Sequence, residues 1–179
     1  MAPINANGDN WKSEYPELAV ISNVVQDGKP IGSLGSYESK WHTDMSYNEL
    51  PPKASILYAI ELPLEGGNTG FASTAAAYDA LSDDMKERIA GLTCKHDSSH
   101  NSVGQVRKGF REVYEDREDI PGAVHPLVAE HPETGRQVIY LGRRARAYIQ
   151  ELDQAESDAL LDELFAHITQ PRFTWTQKW

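Results

Sequence analysis

Cysteine is nearly absent from this chain of 179 residues, cationic charge is scarce, and long apolar runs are missing altogether. The single cysteine, Cys94, excludes an internal disulfide, so a reducing, cytoplasmic compartment is the expectation. Seventeen Lys and Arg stand against 27 Asp and Glu, a formal net charge of −10. That balance leaves no basic surplus for phosphate contacts, so no nucleic-acid partner is expected. It does not speak against small anionic ligands, which respond to the local field of a site. A membrane-spanning helix needs about 20 consecutive apolar residues, and no stretch here approaches that length, so no membrane partner is expected either. The opening MAPINANGDNWKSEYPE has no basic start followed by an apolar run, which argues against a signal peptide. Internal repeats and a domain boundary are also missing. What is present, 40% hydrophobic and 25% charged residues, suits one soluble globular domain.

The apolar segments are short and mostly strand-like. LAVISNVV (Leu18–Val25) is rich in β-branched residues and precedes the turn-forming QDGKPIG. SILYAIEL (Ser55–Leu62) is nearly continuous in apolar character, the pattern of a strand buried on both faces, and ends before Pro63. Val124–Gly142 reads as a hairpin closed by PETG, with Pro at the turn start and Gly at the left-handed position. RFTWTQKW (Arg172–Trp179) alternates with period two, as a strand does. Two helical regions stand out. Thr74 can cap AAAYDALSDDMKERIAGL, which Ser82 divides and Gly91 closes. Asp153 with Glu156 forms a capping-box pattern ahead of the stripe Leu160, Leu161, Leu164, Phe165 and Ile168, and Pro171 ends the element. Between them, Lys95–Ala123 is polar, mixed in charge and without clear period, the mark of a lid or an unstructured connection. Its cations Lys95, Arg107, Lys108 and Arg111 would attract an anion or simply face solvent. The balance is mainly β with helices outside.

The stretch WHTDMSY (Trp41–Tyr47) carries the clearest chemistry. In a strand, residues two apart project from one face, about 7 Å apart along the backbone, so His42 and Asp44 can meet one ion while Thr43 points away. Imidazole plus carboxylate suits a borderline divalent metal. One further histidine would complete the two-His-one-carboxylate set of non-haem Fe(II) oxygenases, which leaves positions open for cosubstrate and O2. The triplet alone is unspecific, since most such triplets are ordinary surface residues.

Its surroundings are specific. WHTDMSYNELPPKASILYAIELPLEGGNTGFAS resembles the signature region of the TauD/TfdA family, the taurine and aryloxyacetate dioxygenases that use Fe(II) and 2-oxoglutarate. The likeness rests on Trp-His-x-Asp, the aromatic Tyr47, Pro51–Pro52 and Gly66-Gly67-x-Thr69. It continues through AAYDAL, HPLVAEHPETGR and YLG into LLDELFAHITQPRFTWTQKW, so it covers most of the chain from about Pro16 onward. The resemblance implies a double-stranded β-helix (a cupin-like jelly roll), here incomplete, as a single domain over residues 1–179. It implies His42 and Asp44 as iron ligands, Thr69 as a hydrogen-bond partner of 2-oxoglutarate, and Asn68 where Asp is commoner. Tyr47 would line the substrate pocket or else serve as a core aromatic; Met45 and Glu38 flank the ligands and would face substrate. The implied activity is O2-dependent hydroxylation of a small, anionic organic substrate, with succinate and CO2 formed from 2-oxoglutarate.

The resemblance also implies parts that this sequence lacks. Family members continue past FTWTQKW into a segment with the distal histidine and an arginine for the far carboxylate of 2-oxoglutarate, and the region before YPELAVISN is short. Among internal candidates, His125 and His131 precede prolines in the hairpin and read as structural, His96 and His100 as solvated loop residues, and His167 as the edge of the last helix. Arg107, Arg111, Arg143, Arg144 and Arg146 are candidates for the arginine, with the GRRAR cluster reading as a solvated turn. A second class of function therefore stands beside the enzyme: a non-catalytic metal- or ligand-binding jelly-roll remnant that needs a partner chain, or a homo-oligomer.

Overall fold

The computed structural model describes residues 20–34, 40–101, 103–107 and 109–179, and divides them between two compact units. The smaller draws on residues up to Trp41 and on Ser98–Pro121. Its strands are two residues long: β1 (Ile21–Ser22), β2 (Val25–Gln26), β3 (Lys29–Pro30) and β4 (Ser33–Leu34). Leu18 and Ala19 of LAVISNVV lie outside the described residues, and the rest of the segment contributes to two short pieces rather than one strand. Asp27 and Gly28 both adopt positive φ, 50° and 74°, which closes the β2–β3 hairpin with the twist that tight hairpins favour. β1 pairs with β4 in parallel. In the returning segment, Asn101 Oδ1 accepts from the backbone N–H of Val103 at 3.1 Å and of Gln105 at 2.9 Å, a local side-chain scaffold for a loop.

The larger unit comprises His42–Asp97 and Gly122–Trp179 and holds the main core. It contains β5 (Thr69–Ala72), helices α1 (Thr74–Asp79) and α2 (Asp83–Ile89), and strands β6 (Thr93–Lys95), β7 (Val124–Pro126), β8 (Val128–Glu130), β9 (Gln137–Ile139) and β10 (Tyr148–Ile149). Helix α3 (Gln154–Ile168) and β11 (Thr174–Gln177) complete it. The strands form small antiparallel sheets: β10-β6-β7, β8–β9 and β5–β11. β8–β9 is the expected hairpin, with Gly135 at φ 67° in its turn. β11 is the expected final strand and lies along β5 with Gln177 opposite Thr69. No helix among the described residues is long and apolar enough to cross a membrane.

Helix α3 forms where its sequence dictates. Asp153 Oδ1 accepts from the Glu156 N–H at 2.8 Å, and Leu160, Leu161, Leu164 and Ile168 are buried against Ala77, Ile89, Leu127, Ile139 and Ile149. Buried Ser157 is satisfied by the β10 backbone: Ile149 N–H donates to its Oγ at 2.8 Å. The cap of α1 is Ser73, one residue before the expected Thr74, because Ser73 is the residue with extended backbone and accepts from Ala76 N–H at 3.2 Å. Ser82 divides the helical region as expected and caps α2.

Two expectations are overturned. SILYAIEL is not a buried strand: Ile56, Tyr58 and Ile60 are 91%, 86% and 91% exposed, and the segment forms no sheet among the described residues. Apolar continuity reports what a segment can bury, whereas burial on two faces requires neighbours, and none is paired with it here. The histidines of the polar connection are not solvated. His96 and His100 are buried, His100 with Ser99 Oγ 2.8 Å from its Nδ1. His96 is enclosed by Tyr140, stacked at 5.4 Å, and by the His125 ring, edge-on at 5.1 Å, and neither of its ring nitrogens has a hydrogen-bond partner among the described residues. Gly142 completes the enclosure, since a Cβ there would collide with both Ser46 Oγ and His96 Nδ1.

Two predictions follow from this packing. Leu164→Ala should cost about 2–5 kcal/mol in chemical denaturation, as a cavity in a well-packed core does, whereas Ile60→Thr should stay within about 0.5 kcal/mol. The second concerns acid. Burial, helped by the His125 charge, lowers the His96 pKa from 6.5 to about 3. The unfolded chain therefore binds a proton that the folded chain refuses, so stability falls as pH drops from 6.5 towards 3. Between pH 6.5 and 5, His96→Phe should remove about 1.5 kcal/mol of that loss, measured as the difference between the two proteins' denaturation curves. An equal pH slope in both would show that His96 is not the group responsible.

Candidate metal centre

The segment that carries the pair is a loop rather than a strand, entering a turn at Asp44. Thr43 sets its position, donating from Oγ1 to the Leu141 carbonyl at 2.6 Å. Two more bonds hold the far side of the turn: Ala123 N–H donates to the Tyr47 carbonyl at 2.9 Å, and His125 Nε2 to the Asn48 carbonyl at 3.0 Å. Met45 adopts φ 50°, a left-handed conformation that a long side chain takes only when its surroundings impose it. It reverses the chain directly after Asp44, and nothing in the sequence signals it.

Within this turn, His42 Nε2 and Asp44 Oδ1 lie 3.1 Å apart. The His42 hydrogen bond, with help from Ser55 and the Arg143 charge, outweighs partial burial and holds the Asp44 carboxyl below its usual range. Asp44 is therefore ionised at neutral pH, as a metal ligand must be. The separation fits a metal as well. Two adjacent donors on an octahedral ion with bonds of about 2.1 Å lie about 3 Å apart, so an ion would take the place of the shared proton. The pair could offer an ion two ligands. Among the described residues, no group of three or more His, Cys, Asp or Glu is gathered where it could hold an ion. His125 and His131 serve the structure as expected, His131 Nδ1 accepting from Glu133 N–H at 3.3 Å. His167 donates from Nε2 to the Ala77 carbonyl at 2.8 Å, at the edge of α3.

The remaining candidates divide. Thr69 begins β5 after Gly66 and Gly67, whose φ values of 79° and 68° make the turn; a Cβ on Gly67 would also crowd the Pro63 ring at 2.9 Å. Its Oγ1 accepts from Trp179 Nε1 at 3.0 Å. Tyr47 is half-buried with the Arg143 guanidinium 5.1 Å from its ring centroid. Met45 is half-buried, and Glu38 lies outside the described residues. GRRAR is not a solvated turn. Arg144 is tied to α3 through Asp158 at 2.9 Å and Asp162 at 2.5 Å, and Arg143 is half-buried near Asp44. Ser55 is the residue beside the pair that sequence reasoning passes over; Arg143 it offers only as one of five candidate arginines, and Thr43 only as pointing away from the ion. Position directly after an apolar strand is the one signal Arg143 carries.

A family model described as "Taurine catabolism dioxygenase TauD, TfdA family" matches residues 4–179. An alpha-ketoglutarate-dependent 2,4-dichlorophenoxyacetate dioxygenase of Burkholderia sp. (strain RASC) is 35% identical over 98% of this chain and 60% of its own length. An (S)-phenoxypropionate/alpha-ketoglutarate-dioxygenase of Sphingobium herbicidovorans is 35% identical over 91% of this chain and 61% of its own. The crystal structure of AAD-2 in complex with Mn(II) and N-oxalylglycine superposes with a TM-score of 0.62 at 33% identity, over 79% of this chain and 55% of that one. The chain thus spans about 60% of the length of the curated relatives it matches. The shared architecture is the expected one, mainly β with outer helices and part of a jelly roll. With the family model matching all but the first three residues, this chain belongs to the TauD/TfdA dioxygenase family.

Proposed function

We propose that the chain is the major part of an Fe(II)/2-oxoglutarate-dependent dioxygenase that hydroxylates a small, anionic organic substrate. The observation that carries this reading is the His42–Asp44 pair, set 3.1 Å apart as two adjacent ligands would be, in a chain of this family. Iron with 2-oxoglutarate supplies the oxidising power, coupling decarboxylation of the keto acid to succinate and CO2 with O2-dependent hydroxylation. The protein's own residues do the rest. Thr43, Tyr47 and Asn48 hold the ligand loop against the core, and Thr69 offers a hydroxyl to the keto acid. Arg143 places a positive charge beside Asp44 and Tyr47, where it favours an anionic substrate despite the net charge of −10. Tyr47, Met45 and Glu38 are our candidates for the substrate wall. The reading needs a third iron ligand and a carboxylate-binding arginine beyond those gathered around the pair. A reducing, cytoplasmic setting agrees with Cys94, a free buried thiol pushed up to about 12 by desolvation.

The two-ligand count favours, as a second reading, a non-catalytic metal- or ligand-binding jelly roll completed by a partner chain. Fe(II) and 2-oxoglutarate added without air separate the two. The enzyme reading expects the weak visible charge-transfer band of the chelate, and succinate once air is admitted. No band and no succinate would leave the second reading standing. Asp44→Ala should abolish the band while changing unfolding free energy by less than about 1 kcal/mol, since the Asp44 side chain is 55% exposed and loses only contacts to nearby polar side chains. Undiminished iron affinity in that variant would remove His42 and Asp44 from the metal site.

A further inference from the structure

Thr69 and Trp179 are 110 residues apart in sequence and joined by one hydrogen bond whose direction is chemically fixed. Gln177 stands opposite Thr69 in the β5–β11 ladder, and Trp179 lies two residues further on. Trp179 thus follows closely on the strand end, and its indole reaches the threonine across the ladder. An indole N–H only donates, and a hydroxyl carries one proton and two lone pairs. Trp179 Nε1 at 3.0 Å therefore occupies a lone pair of Thr69 Oγ1 and leaves the hydroxyl proton to be given elsewhere. A hydroxyl that accepts one bond also donates the next one more strongly. The pair is thus built to present a proton to an acceptor, and a carboxylate is the acceptor that gains most from it.

We propose that Trp179 is a positioning residue for 2-oxoglutarate: by donating to Thr69 Oγ1 it aims the Thr69 hydroxyl proton at a carboxylate of the cosubstrate. The proposal rests on the dioxygenase reading given above. It assigns a role to a residue outside both the metal pair and the Gly-Gly-x-Thr turn. It also explains why the carboxylate-facing group is a threonine, since an obligate acceptor in its place could take the indole proton but would repel the anion.

The test uses the 179-residue chain with Mn(II) and N-oxalylglycine, the redox-silent pair, followed by calorimetry and by the indole N–H resonances of 15N-tryptophan-labelled protein. Trp179→Phe, which also identifies the Trp179 resonance, should weaken N-oxalylglycine binding about three- to tenfold, the worth of one net hydrogen bond. Thr69→Val should weaken it at least as much, and adding Trp179→Phe to Thr69→Val should cause no further loss, because the two residues act through one hydroxyl. Thr69→Ser keeps that hydroxyl and should restore both the affinity and the effect of Trp179→Phe. In the unsubstituted protein the Trp179 indole resonance should move on ligand addition, and in Thr69→Val it should not; this readout does not depend on how well the tryptophan variant folds. Unchanged affinity in Trp179→Phe, or losses that simply add, would overturn the proposal and leave the dioxygenase reading intact. Failure of the unsubstituted chain to bind N-oxalylglycine would overturn that reading, and this proposal with it.

Discussion

Burial of the apolar stripe of α3 is the constraint on which the larger unit depends. Leu160, Leu161 and Leu164 are wholly inaccessible to solvent, and they touch or neighbour residues from α1, α2, β9 and β10. The helix could not hold these elements if its N-terminal turns frayed, and three contacts prevent that. Asp153 caps it, the Ile149 N–H donates to Ser157, and Arg144 bridges Asp158 and Asp162. The last of these explains the half-burial of a residue in an apparently polar cluster. Arg144 pairs with the helix that its own strand segment packs against, and its alkyl stem is covered as a consequence.

The ligand loop inherits its geometry from that core. Leu141 is buried beside β9, and its carbonyl receives the Thr43 hydroxyl; Ala123 and His125 at the start of β7 take hold of Tyr47 and Asn48. Three hydrogen bonds to two neighbouring chain segments thus fix six residues, and the strained φ of Met45 is sustained by them. Holding the loop this way brings His42 and Asp44 together without an ion, which would lower the ordering cost of the metal binding proposed above. His96 lies behind the same loop, enclosed with Ser46 and Gly142. A neutral, unpartnered imidazole at that position is expensive, and its expense appears in the acid dependence of stability rather than in the site itself.

Much of the fold was legible because local rules decided it. The β8–β9 hairpin follows from PETG, α3 from its capping box and its 3.6-residue stripe, and β11 from strict alternation. The His42–Asp44 pair was legible as two neighbouring side chains and not in its setting. Two residues apart suffice to name His42 and Asp44 as neighbours, but they meet across a turn, not on a strand face. Trp179 was hidden, and Arg143 stood out only as one of five candidate arginines, because an indole 110 residues from its threonine, and a guanidinium beside a distant tyrosine, leave no local pattern.

By itself, then, the sequence determined the family, the capped helices and the closing hairpin and strand, since each is written in residues close together along the chain. Only the tertiary structure decided which apolar segments are covered and which polar ones are buried. SILYAIEL has every local property of an interior strand and stands exposed, while His96 has every local property of a solvated loop residue and is sealed in. Burial is a property of what packs against a segment, and that is settled by contacts between distant parts of the chain.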